Sequence, residues 1–209
     1  MQMIKGTDIE IATESGFEKV RNVLVGEPGR KEMLGHIIQT YVLGLPKGDT
    51  HDWADKKLRI FGRAYRTVGL PLEGIEENIP TPWHKQVSAE MLLPCAPLTL
   101  YEKDTFARHV FADVFFADLR GQKTQKGGEH TAQNVTAYIY GCCHDGSYMP
   151  KAGDIIVSGE CGIVFDMSSQ ESTSRSMAAL REERPKYAVV KSISEKSGVY
   201  VPDIEITAV

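Results

Sequence analysis

The feature that most restricts this chain is a period of two. Apolar residues recur at alternate positions in Ile9-Glu10-Ile11, in Lys85-Gln86-Val87-Ser88-Ala89-Glu90-Met91 and in Ala137-Tyr138-Ile139-Tyr140. Successive side chains of a strand point to opposite faces, so this pattern builds half-buried strands and cannot form a helical stripe. Further runs rich in β-branched and aromatic residues occupy 19–25, 37–45, 57–68 with a turn near Gly62, 97–101, 107–119, 154–165 around Gly159, 186–194 and 199–207. That makes roughly a dozen short strands, spaced as in a barrel or sandwich. The expected fold class is mainly β: two small β-barrel or sandwich domains with one or two short helices.

Helical signal is confined to two places. Residues 174–184 (SRSMAALREER) join strong helix formers, hydroxyl residues at the N-terminal side and a basic last turn before Pro185, which predicts a helix. Arg30 to Gly35, after Pro28-Gly29 and with Gly35 as a stop, predicts a second helix of two turns. Between the strands, Pro94 and Pro97 fix the backbone and withhold ladder donors, so no sheet should pass through 92–96. The expected domains are therefore 1–93 and 94–209. The polar, glycine-bearing stretch 121–130 is read as a loop between two strands, either a hairpin tip or an arm reaching a neighbouring subunit.

Composition excludes several classes. At 42% hydrophobic and 25% charged over 209 residues, the chain can bury a core without staples. No apolar run approaches the roughly 18 residues of a membrane span. Lys and Arg number 24 against 28 Asp and Glu, and neither half has the basic excess that phosphate binding needs. Cys142 and Cys143 are adjacent, which suits a disulfide framework poorly, and MQMIKGTDIEIATESGFEKV does not read as a signal segment. Synthesis in a reducing cytoplasm is expected.

Two clusters bear on chemistry. Cys142-Cys143-His144 with Cys161 could bind zinc through soft thiolates and imidazole, but neighbouring cysteines meet at one ion only from a tight turn; otherwise they are small buried hydrophobes at a strand end. Gly48-Asp49-Thr50-His51-Asp52-Trp53 could be read as the catalytic loop of a hydrolase. The competing reading is a turn whose polar side chains cap backbone and whose Trp53 anchors it on the core. No nucleophile elbow, phosphate-binding loop, dinucleotide fingerprint or paired carboxylates are present, so no catalytic residue, metal or cofactor is expected.

Residues 43–90, LGLPKGDTHDWADKKLRIFGRAYRTVGLPLEGIEENIPTPWHKQVSAE, preceded by VRNVLVGEPG at 20–29, carry Pro46 to Trp53, Phe61-Gly62, Tyr65-Arg66-Thr67, Gly74-Ile75-Glu76, Ile79-Pro80 and Trp83 in order. In this the chain resembles the head-closure (stopper) proteins of tailed siphophages, departing from their pattern at His84-Lys85-Gln86-Val87. The second half resembles a different small phage neck protein. It does so through Leu98 to Tyr101, Phe111 to Phe116 with Asp118, Val135 to Ile139, Pro150 to Glu160 and Val189 to Ser194.

The resemblance implies a non-enzymatic virion protein of the neck that closes the DNA-filled head and offers a platform for the tail. It implies a homo-oligomeric ring, read as a hexamer. Its neighbours would be the portal or adaptor ring and tail-terminator or tail-tube proteins, with DNA passing without specific contact. Subunit or partner contact is expected at Lys123, Thr124, Gln125 and Lys126 and at Trp83 and Glu76, while Trp53, Gly74 and Pro80 anchor loops. Loops 121–130 and 166–176 are expected to project. The alternative readings are a capsid decoration or tail-terminator subunit, and a β-barrel hydrolase.

Overall fold

The computed structural model describes residues 4–125, 128–184, 187–196 and 201–209, with the side chains of 118–134 outside the description. The chain is mainly β and forms two compact units, the first ending at Leu93 and the second beginning at Pro94.

The first unit contains β1 (Thr7–Thr13), β2 (Gly16–Val25), β3 (Gly29–Met33), β4 (His36–Pro46), β5 (Lys57–Ile60), β6 (Arg63–Glu73) and β7 (Trp83–Met91). They form one sheet in the order β2-β1-β5-β6-β7-β4-β3. A further antiparallel pairing of Leu24 with Gly44 and of Val25 with Leu43 links β2 back to β4. The alternation of the sequence decides which face is covered: Ile9, Ile11, Val20, Leu43, Leu45, Leu58, Val87 and Ala89 are buried around Trp53 and Tyr65, while Gln86 and Ser88 between them face solvent.

The predicted helix at 30–35 is instead the β3–β4 hairpin. Leu34 and Gly35 both have positive φ, 50° and 75°, the twist that lets a two-residue turn follow the strands' own handedness. Phe61-Gly62 joins β5 to β6 in the same way. Pairing along β4 outweighs a weak helical preference in a segment too short to nucleate alone.

The second unit contains β8 (Ala96–Tyr101), β9 (Arg108–Gln125), β10 (Gly128–Ile139), β11 (Ile155–Ser158), the helix α1 (Gln170–Glu183), β12 (Tyr187–Lys196) and β13 (Asp203–Ala208). The strands close into a barrel in the order β10-β13-β12-β11-β8-β9. Its interior is filled by Leu98, Leu100, Val114, Ala137, Ile139, Ile156, Val190, Ile204 and Ile206, as a barrel this narrow requires.

Three sequence expectations change here. The stretch read as a loop at 121–130 is largely strand: β9 runs on to Gln125 and β10 begins at Gly128, with Gly121 opposite Ala132 and Lys123 opposite His130. Ladder bonds use backbone groups, so polar composition does not interrupt them. The strand expected over 154–165 ends at Ser158. Beyond Gly159 the chain leaves the sheet and buries Cys161 and Phe165 in a satellite core with Tyr101 and Leu180. The helix begins at Gln170, not Ser174, because the Ser169 hydroxyl accepts the backbone N–H of Ser172 at 3.0 Å and so caps it. Seven of the eleven residues of the projecting loop expected at 166–176 are thereby helical.

Candidate functional site

Several exposed aliphatic residues of the first unit, Leu70, Leu72 and Ile75, follow one another along the end of β6 and the loop after it, beside a cleft. Along β6 the pairing with β7 loses register between Val68 and Leu72, where Gly69 has φ 74° and Pro71 offers no N–H. An irregularity of this kind turns side chains away from the core. Leu70 and Leu72 are accordingly 64% and 75% exposed, and Ile75 just beyond is 66% exposed.

The loop after β6 is held from below. Lys47 reaches it with its ammonium group, donating to the carbonyls of Glu76 at 2.8 Å and Ile79 at 2.7 Å, while its backbone N–H bonds the Pro82 carbonyl. Gly74 N–H donates to the His84 carbonyl at 3.0 Å. A 3-10 turn over Glu76–Asn78 completes the loop. The Trp83 indole N–H donates to the Asn22 carbonyl at 2.7 Å, tying the start of β7 to β2.

Between these groups lies a cleft of about 490 Å³, lined among others by Leu24, Leu72, Glu73, Ile79, Trp83 and His84. The His84 side chain is buried, with Nε2 at 3.7 Å from a Glu73 carboxylate oxygen and 3.8 Å from one of Glu76. Its Nδ1 is buried with no hydrogen-bond partner among the described residues. Lys85 pairs with Glu73 at 3.1 Å. The cleft therefore combines a fixed backbone, an acidic rim and exposed aliphatic side chains, a composition suited to contact with another protein surface.

Of the residues singled out in the sequence, Trp83, Glu76 and Gly74 meet at this loop. Pro80 follows Ile79 on the same loop and is exposed. Trp53 lies apart from it, fully buried, with its indole N–H on Asp49 Oδ2 at 2.6 Å. Lys123, Thr124 and Gln125 belong to β9 by backbone pairing, their side chains lying outside the described residues, as does Lys126 entirely. Lys47 and Leu72 were not picked out from sequence as contact residues, and His84 stood out only as a departure from the stopper pattern. The available signal was the run Gly69-Leu70-Pro71-Leu72, in which two leucines are flanked by residues that break a ladder.

The two candidate chemical clusters resolve differently. In the 48–53 loop, Asp49 gives one oxygen to Trp53 and the other to His51 Nδ1 at 2.6 Å, and His51 Nε2 faces Glu18 at 3.5 Å. The hydrogen bond to Asp49 raises the His51 pKa against the opposing effect of burial. Both ring nitrogens face carboxylates, an arrangement that anchors Trp53. In the second unit, Cys161 is buried beside Tyr101 and Phe165 in the satellite core, its N–H on Thr99 Oγ1. His144 accepts from Gly146 N–H at Nδ1 and bonds the Pro202 carbonyl through Nε2. Among the described residues no three His, Cys, Asp or Glu side chains form a metal-binding group. No family model, curated protein or solved structure matches this chain. Among the described residues no helix is long and apolar enough to cross a membrane.

Proposed function

We propose that this chain is a structural subunit of the neck of a tailed phage virion, assembling into a ring that closes the DNA-filled head and receives the tail. The observation that carries the reading is the exposed aliphatic set Leu70, Leu72 and Ile75, here called the rim, of which Leu72 lines the cleft, beside a loop held by Lys47. Exposed aliphatic groups on a rigid support are favourable for association, since little ordering entropy is lost when a partner covers them. The segment that forms this surface is the one whose motifs resemble the stopper proteins.

The occupant proposed for the rim is a second copy of the chain, in the head-to-tail contact that closes a ring. Portal or adaptor and tail proteins then bind the faces of that ring. Each subunit carries a formal charge of −4, so the assembled ring repels phosphate and lets DNA slide through without gripping it. Mass spectrometry of purified particles tests the assignment: the chain should be present in virions at a stoichiometry of a few copies, and its absence from mature particles overturns it.

A further inference from the structure

Cys142 and Cys143 place their sulfurs 3.6 Å apart. On a strand, adjacent side chains diverge to opposite faces, and the two thiols come together here because they follow β10 in a 3-10 turn, Gly141–Cys143. The turn is fixed on both sides. Gly141 N–H donates to Asp203 Oδ1 at 2.7 Å, the other Asp203 oxygen accepts the Tyr138 hydroxyl at 2.8 Å, and Cys143 N–H bonds the Tyr140 carbonyl at 2.8 Å. A Cβ at Gly141 would lie 2.1 Å from the Val201 carbonyl oxygen, so the turn packs against the Val201 backbone closely enough that only glycine fits. Both cysteines are only half-buried, which leaves them within reach of a small molecule.

We propose that Cys142 and Cys143 form a two-thiol clamp for one soft electrophilic atom, and that the ligand class it takes is a monosubstituted trivalent arsenical. If each sulfur is bonded at about 2.3 Å, the length of a Zn–S bond, sulfurs 3.6 Å apart subtend an angle of about 103° at the central atom. That angle suits a tetrahedral or pyramidal centre. Zinc needs four ligands, and the imidazole of His144 is already engaged by backbone groups at both nitrogens. An organoarsenic centre needs only two protein ligands, because it brings its own third substituent.

A disulfide between the pair is disfavoured. Neighbouring Cα atoms across a trans peptide stand about 3.8 Å apart, below the roughly 4.4 Å at which disulfide geometry begins. Inserting one larger atom between the sulfurs removes that constraint. The reaction is a condensation: two As–S bonds form, the As=O bond of R–As=O breaks, and both thiol protons leave with the oxygen as water. Arsenic stays trivalent and no oxidant is consumed. Once one thiol has reacted the second is held beside it, so the pair outcompetes separate thiols through effective concentration.

The test uses the folded full-length chain and phenylarsine oxide. Intact-mass measurement should show one phenylarsenic adduct at equimolar reagent, displaced by 1,2-ethanedithiol and retained in the same concentration of a monothiol. The adduct should vanish in Cys142→Ser and in Cys143→Ser and persist in Cys95→Ser. Peptide mapping of the unaltered chain gives a second readout that needs no variant: the arsenical should shield Cys142 and Cys143 together from iodoacetamide. An adduct equally stable in either serine variant, no adduct on the unaltered protein, or shielding of neither cysteine overturns the proposal.

Discussion

Asp49 divides its two carboxylate oxygens between an indole and an imidazole, and that division makes stability depend on pH. The Asp49 hydrogen bond raises the His51 pKa above its ordinary value near 6.5. A group whose folded pKa is raised stabilises the fold fully below its unfolded pKa, and the contribution disappears as pH rises through the folded value. Denaturant midpoints should therefore decline as pH rises above about 6.5, and His51→Ala should flatten that segment of the profile. Asp49→Asn should flatten it as well and should weaken the hold on Trp53, costing about 1–3 kcal/mol because a buried indole N–H is left with a poorer partner. Urea titration followed by tryptophan fluorescence measures both. The sequence already allowed the anchoring reading of this loop, since turn formers precede a bulky aromatic. It gave no means of knowing that Glu18, on a different strand, faces the far side of the imidazole.

At the scale of elements, local signals read well where they are backed by pairing and badly where pairing opposes them. The Phe61-Gly62 turn was legible because alternation continues on both sides of it. The equivalent Leu34-Gly35 turn was hidden by Pro28-Gly29, which resembles a helix start, and the ladder with β4 decides the outcome. Gly35 has φ 75° and open space around its missing side chain. Gly35→Ala should thus act through backbone strain alone, destabilising the chain by about 1–2 kcal/mol. A shift of the urea midpoint at unchanged slope checks this. The start of α1 was misplaced for a comparable reason, because serines at 168, 169, 172, 174 and 176 offer several caps of equal local merit. Ser169 is the one whose hydroxyl accepts from the N–H three residues on. Ser169→Ala should cost about 1 kcal/mol and Ser174→Ala, inside the helix, far less. Circular dichroism during thermal unfolding distinguishes the two.

For the molecule as a whole, rare residues marked where the candidate surface lies but not what it is made of. Gly74 and Glu76 stand out in sequence and fall on one loop, with Trp83 at the start of the strand that follows it, whereas Lys47, His84 and Leu72 acquire their positions from cross-strand register and from the irregularity in β6. An alternating pattern cannot reveal a leucine that a register shift has turned outward. Leu70 and Leu72 also make the assembly reading separable from stability. Both are exposed in the single chain, so Leu70→Asp with Leu72→Asp should leave the unfolding midpoint of the dilute subunit within about 0.5 kcal/mol of the original. If a second copy covers these side chains, each contributes up to roughly 1.5–3 kcal/mol to association when fully buried. The double variant should then weaken self-association by at least about tenfold, since that needs only 1.4 kcal/mol. Mass photometry and sedimentation across a concentration series measure it directly. Equal assembly by the variant would remove this rim from the interface, and a chain that stays monomeric at every concentration, alone or with purified neck proteins, would remove the ring.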